Sequence, residues 1–336
     1  MARRSSFPTA QRLTILVPIA ASLSAGGLIG VTWAAGVHRV LRGLVHPHWL
    51  WLGLAVLFEI VAYIGYTVAY REVARAERGA ELDVGKAAAL VAVGFGVFVH
   101  GGGFALDREA LQRAGLREDE ARRRVLGLSV LEYAVLAPAT LVAAVLVVFW
   151  RQTISLSLTL PWIIGVPVGA CLALVALRHR SRVRRWRFVG RPLARGLLAL
   201  ELVLGLLRSP RRHGLAVLGT LVYWGGDIFC LWATLHAFSA HTPPAAQLIV
   251  GYATGYALTR RALPLGGAGV VEALLPFALG WLKIALAPAV LAVFAYRLIN
   301  LWLPMIPALA GLPTLRRLEG TRPRRRARRR TSPARG

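Results

Sequence analysis

Residues 261–275 read RALPLGGAGVVEALL, with a second arginine at 260. The stretch lies deep in an apolar C-terminal half. A proline, glycines at 266, 267 and 269, and one glutamate interrupt the hydrophobic run. Lipid accepts neither loose backbone nor a lone carboxylate, because neither finds a hydrogen-bond partner there. The stretch therefore predicts a broken helix, its freed groups satisfied by protein or by a water-lined cavity. Pro264 removes a backbone donor, and Gly266, Gly267 and Gly269 permit a tight reversal. A new helix starts near Val270, and its first turn points free N–H groups and the positive dipole end into the break.

The rest of the chain puts that break in a membrane. Of its 336 residues 56% are hydrophobic, and the mean hydropathy is +0.57. Runs of ~19 or more nearly uncharged residues mark spanning helices. Six runs read as full spans, at about 13–37, 49–70, 125–149, 160–178, 214–238 and 286–312. Two further runs are broken by glycine. One covers about 86–115, around HGGGF with Gly101, Gly102 and Gly103, and the other about 245–281. The expected fold class is an all-α polytopic membrane protein of six spans and two broken or re-entrant helical pairs. The N-terminal run follows a basic start without a small-residue cleavage site, and reads as an uncleaved first helix.

The net charge is +26, and all but two of its lysines and arginines are arginine. These bases cluster between apolar runs rather than on a soluble face, which argues for membrane orientation and anionic lipid, not nucleic acid. The loop 178–196, the tail 316–336 and Arg3, Arg4 and Arg12 are the basic segments, so all three are expected in the cytoplasm of a plasma-membrane protein. The expected layout is a cytoplasmic N-terminus at 1–12, one membrane domain at 13–315, and a disordered basic tail at 316–336. Within the domain, 178–213 forms a basic loop and a helix lying in the interface.

Four spans precede the 178 loop and two follow it. Both numbers are even, so each broken run crosses an even number of times or dips and returns. The order span, span, broken pair, span then occurs twice in opposite orientation, an inverted repeat. A sequence echo agrees. Displacing the first half by 165 positions places Gly101 and Gly102 on Gly266 and Gly267, Asp107 on Glu272, and Glu132 on Arg297.

Ionisable side chains inside such spans are costly and mark pathways or partners. Glu272 sits in the first turn after the break, where it also complements the helix dipole. Arg297, in AYRLINLWLP, falls near mid-depth, and Glu272 is its natural counter-charge. Asp227 is a third buried charge, and Trp224 shares its helix face at i−3, although a lone tryptophan is most often a packing residue. Arg260 and Arg261 suit a phosphate at the break or a position at the interface. Asp107 and Glu132 are the first half's counterparts. His100 and the pair His46 and His48 are too sparse for a metal. Cys171 and Cys230 form no CxxC motif and read as packing residues. No GxSxG, HExxH or GxxxxGK[ST] is present, nor an aspartate-rich metal-diphosphate cluster, so neither catalysis nor a cofactor or metal is expected.

Trp224-Gly-Gly-Asp227, then Pro264, Gly266, Gly267, Gly269 and Glu272, then Tyr296-Arg297 with Trp302 and Pro304, together resemble the lysylphosphatidylglycerol synthase/flippase transmembrane-domain family. The resemblance covers about 10–315 and is specific in its C-terminal part. It implies movement of a phospholipid or lipid-linked headgroup across the bilayer, with a separate lipid-modifying enzyme as possible partner. Synthase activity does not carry over, because the aminoacyl-transferase domain of the best-known members has no counterpart here. HGGGF lacks the proline and arginine of the second break. On this reading the headgroup phosphate meets the helix start at Gly267–Gly269, aided by Arg297 and Arg260. Glu272 and Asp227 hold the arginine or take a cationic headgroup. The rival expectations are a small-solute transporter, a membrane scaffold and an integral-membrane lipid transferase.

Overall fold

The computed structural model describes residues 10–95, 103–150, 156–183, 190–238, 242–257 and 264–307. Among these it is helical throughout, with no strand. The elements are α1 (Ala10–Ala35), α2 (Val37–Gly43), α3 (Trp49–Arg75), α4 (Val84–Phe95), α5 (Gly103–Arg113), α6 (Glu118–Phe149), α7 (Leu156–Arg178), α8 (Arg180–Val183), α9 (Gly190–Arg208), α10 (Pro210–Phe238), α11 (Ala245–Tyr252), α12 (Val270–Trp281) and α13 (Leu286–Arg297). Six helices are long and apolar enough to cross a membrane: Ile15–Ala35, Trp49–Arg75, Glu118–Phe149, Leu156–Arg178, Pro210–Phe238 and Leu286–Pro307. They are the six expected runs. The two broken runs are the pairs α4/α5 and α11/α12. The chain is a multi-pass membrane protein.

Gly101, Gly102, Arg260, Arg261, His100, the tail 316–336 and part of the basic loop lie outside the described residues. The third span begins several residues earlier than its apolar run, because Glu118–Arg124 is helical too. Ion pairs hold that charged start, Arg122 to Glu118 at 3.1 Å and Arg123 to Glu77 at 2.9 Å. Arg124 is buried and donates to Ala74 O and Ala76 O at 3.1 and 2.7 Å, satisfying carbonyls at the end of α3.

The most extensive helix pair is α3 on α10. Small residues make it possible. A Cβ on Gly219 would stand 2.6 Å from Gly65 O, one on Gly65 would stand 2.7 Å from Gly219 O, and one on Gly226 would stand 2.6 Å from Phe58 O. Backbones this close exchange dispersion contacts that lipid tails cannot supply, the usual basis of helix association in membranes. The face of α10 that carries Asp227 is thereby fixed against the face of α3 that carries Glu59.

Gly219→Val should lower stability by about 1–3 kcal/mol, the ordinary cost of overpacking. Gly30→Val, where a Cβ meets nothing within 4 Å, should be near neutral. Thermal unfolding of both variants in detergent checks the contrast.

Candidate functional site

The second break folds as its sequence requires. Residues Pro264–Gly267 form a short 3₁₀ turn. Leu265, Gly267 and Gly269 then take positive φ of 58°, 71° and 85°, a region glycine enters freely and leucine only under strain. The turn is seated on α1. A Cβ on Gly27 would lie 2.5 Å from Gly269 O, and one on Gly269 would lie 2.9 Å from Leu23 O. Glycine on both sides of the contact therefore lets the loop touch the helix backbone.

Glu272 closes the break. Its Oε2 accepts the Gly269 N–H at 2.8 Å, capping the start of α12. Its Oε1 accepts Arg297 Nε at 2.9 Å and Ser24 Oγ at 2.8 Å. The ion pair expected between Glu272 and Arg297 is thus present, with side chains 0% and 2% exposed. One carboxylate ties α1, α12 and α13 together.

A second centre lies on Asp227, itself fully buried. Tyr252 OH donates to Oδ2 at 2.6 Å, Tyr296 OH to Oδ1 at 2.7 Å, and Asn300 Nδ2 to Oδ1 at 2.9 Å. Asn300 Nδ2 also donates to Glu59 Oε1 at 3.0 Å, and Asn300 Oδ1 accepts from Tyr256 OH at 2.7 Å. The amide orientation is the one its neighbours demand, with N–H groups on carboxylates and oxygen on a hydroxyl. Tyr256 lies in a π-helical turn at Ala253–Ala257, and Asn300 in another at Leu298–Trp302. Such turns insert a residue into a helix and recur at functional sites.

The structure brings together Glu272, Arg297, Asp227, Tyr296, Gly267 and Gly269 from the expected set. Trp224 is buried on the Asp227 face but donates Nε1 to Glu132 O at 2.9 Å, tying α10 to α6. Asp107 and Glu132 are buried in the first half. Sequence reasoning passed over Glu59, Asn300, Tyr252, Tyr256 and Ser24. Glu59, a lone acid in the run WLGLAVLFEIVAYIGY, carries the same signal that marked Asp227.

Glu59 also ends a groove. About 520 Å³ of space runs between α3, α4 and the end of the last span, walled by Ile60, Ile64, Val84, Ala88, Ile299 and Leu303, with Pro304 beside them. Its lining is almost wholly apolar, and Glu59, Tyr63 and Thr67 supply its polar atoms.

The family model described as the lysylphosphatidylglycerol synthase TM region matches residues 15–308. The chain belongs to this family. That match begins within α1 and runs to the end of the sixth span, so it takes in both breaks and the residues of the polar network. A comparison with curated proteins finds none that matches. Membership in the lysylphosphatidylglycerol synthase TM family points to a function connected with membrane lipid.

Arg297→Ala should destabilise the protein by about 3–5 kcal/mol, because it strands a buried carboxylate. Adding Glu272→Ala should recover part of that loss. Denaturant unfolding of the single and double variants measures the coupling, and additive losses would deny the pair its role.

Proposed function

We propose that the protein moves a phospholipid or lipid-linked headgroup across the cytoplasmic membrane, as a transporter rather than an enzyme. The observation that carries this reading is the junction at Glu59. There an apolar groove facing the bilayer meets a buried polar network. A lipid has the same division, with tails that stay in hydrocarbon and a headgroup that needs polar partners to cross it. A small solute has no use for the apolar groove, and a scaffold has no use for a groove that ends on a carboxylate.

Glu272 suggests how a headgroup is received. Its two oxygens occupy a helix N-terminus and a guanidinium, the groups that bind phosphate best. A headgroup phosphate suits the same kind of donors, the Gly269 N–H and Arg297, so the start of α12 is where a headgroup would be received.

The twofold occurrence of span, span, broken pair, span supports an inverted repeat with the site between its halves. The arginine distribution supports cytoplasmic termini, and a separate enzyme supplies the lipid that is moved.

Proteoliposomes with NBD-labelled phosphatidylglycerol or phosphatidylcholine, followed by dithionite quenching, test the reading. Wild type should expose inner-leaflet label faster than empty liposomes. Ile64→Trp, which fills the groove, and Glu59→Gln should each reduce the rate to roughly a tenth, equivalent to ~1.4 kcal/mol at the barrier. Wild-type rates equal to those of empty liposomes for both lipids would refute lipid movement.

A further inference from the structure

A second groove lies apart from the polar network, where the fourth span meets α9. Its volume is about 660 Å³. Leu172 and Val175 of α7 form one wall, Leu193 and Leu200 of α9 the other, and His179 and Arg182 stand at its end. We infer that this groove is a binding site for one anionic phospholipid, with an acyl chain between α7 and α9 and the phosphate at Arg182 and His179. The site is distinct from the transport path and stands whether or not lipid movement is the protein's function.

Three observations carry it. First, α7 is a span with almost no protein cover. None of its apolar window is buried, and Leu160, Ile164, Val168, Leu172 and Val175 are exposed. Its surroundings are therefore lipid, and the groove is continuous with them. Second, α9 divides its apolar residues between two duties. Ala199, Leu202, Val203 and Leu206 are buried, and its main partners are α6 and α10. Leu193, Gly196 and Leu200 recur at the helical spacing of one stripe and line the groove instead. Third, the polar end is basic. The span ends at Arg178, so His179 and Arg182 stand at the depth of the headgroups. Glu201, the one acidic residue of α9, already accepts from Arg180 at 2.8 Å. Arg182 and His179 thus offer donors to an anion beside a wall that fits a hydrocarbon chain.

Gly196 supplies a clean probe. A Cβ there meets nothing within 4 Å, so a larger side chain enters the groove without disturbing the helix packing. The experiment uses the full chain in nanodiscs of phosphatidylcholine. A trace of phosphatidylglycerol or phosphatidylcholine carries a diazirine in its acyl chain, and cross-links are mapped by mass spectrometry. Phosphatidylglycerol should label peptides within 172–200 more than phosphatidylcholine does, by roughly fivefold, the factor that one basic residue contributes at ~1 kcal/mol. Arg182→Gln with His179→Gln should abolish that preference while keeping some labelling. Gly196→Leu should remove labelling by both lipids. Added inorganic phosphate should not compete, since the chain and not the anion alone fills the groove. Labelling within 59–68 or 299–307 reports the other groove and serves as an internal reference for folding. Equal labelling by the two lipids at 172–200, or labelling unchanged in the charge variants, would overturn the proposal. So would full labelling of Gly196→Leu.

Discussion

The Glu272 carboxylate is the constraint on which the rest of the structure depends. A break in a membrane helix exposes amide groups that nothing in hydrocarbon can satisfy. Glu272 answers that need with Oε2 on the Gly269 N–H, and uses Oε1 to hold Arg297 and Ser24. Each group is expensive alone. A buried guanidinium without an acid, or an acid without a donor, costs several kcal/mol. Together they satisfy one another, and the arrangement fixes where α1, α12 and α13 stand.

The division of labour between the two carboxylate centres follows from their partners. Glu272 bonds a full positive charge and a backbone amide. The bonds described at Asp227 come from neutral donors, Tyr252, Tyr296 and Asn300. Hydrogen bonds from neutral groups are weaker than charge-assisted ones and break at lower cost. The ion pair is therefore the stronger of the bonds described at the two centres.

Much of this was legible in the sequence, for a physical reason. Spans, breaks and buried charges are set by hydrophobic runs and their interruptions, and those are local. The six spans, the pair Glu272–Arg297 and the burial of Asp227 all come from such interruptions. What remained hidden depends on contacts between distant segments. Ser24 is an ordinary small residue until the break is seated on α1. Tyr252 and Tyr256 look like interfacial aromatics, and Asn300 looks like a mild blemish in a span. The π-helical turns around 253–257 and 298–302 have no composition of their own, and they are what aim Tyr256 and Asn300 at each other. Arg124 stands in a densely charged stretch, and only the contact with a distant segment shows that it satisfies the end of α3.

The same bonds tie helices into two groups, which meet where α13 packs on α10. Glycine contacts lock α3 to α10, so Glu59 and Asp227 belong to one body. Glu272 locks α1, α12 and α13 into another, which carries Tyr296, Arg297 and Asn300. The seam between the bodies is crossed by the bonds of Tyr296 and Asn300 to the two carboxylates. The apolar groove lies on that seam, with α3 and α4 on one side and the end of the sixth span on the other. For the proposed transport, a change of access is expected at this seam, since parting either group internally would expose a guanidinium or separate touching backbones. Asn300 is the residue most directly loaded by such a motion. One amide holds both Glu59 and Asp227, and sliding the sixth span along α3 and α10 would break both bonds at once. That seam is also where the apolar groove reaches the polar network at Glu59.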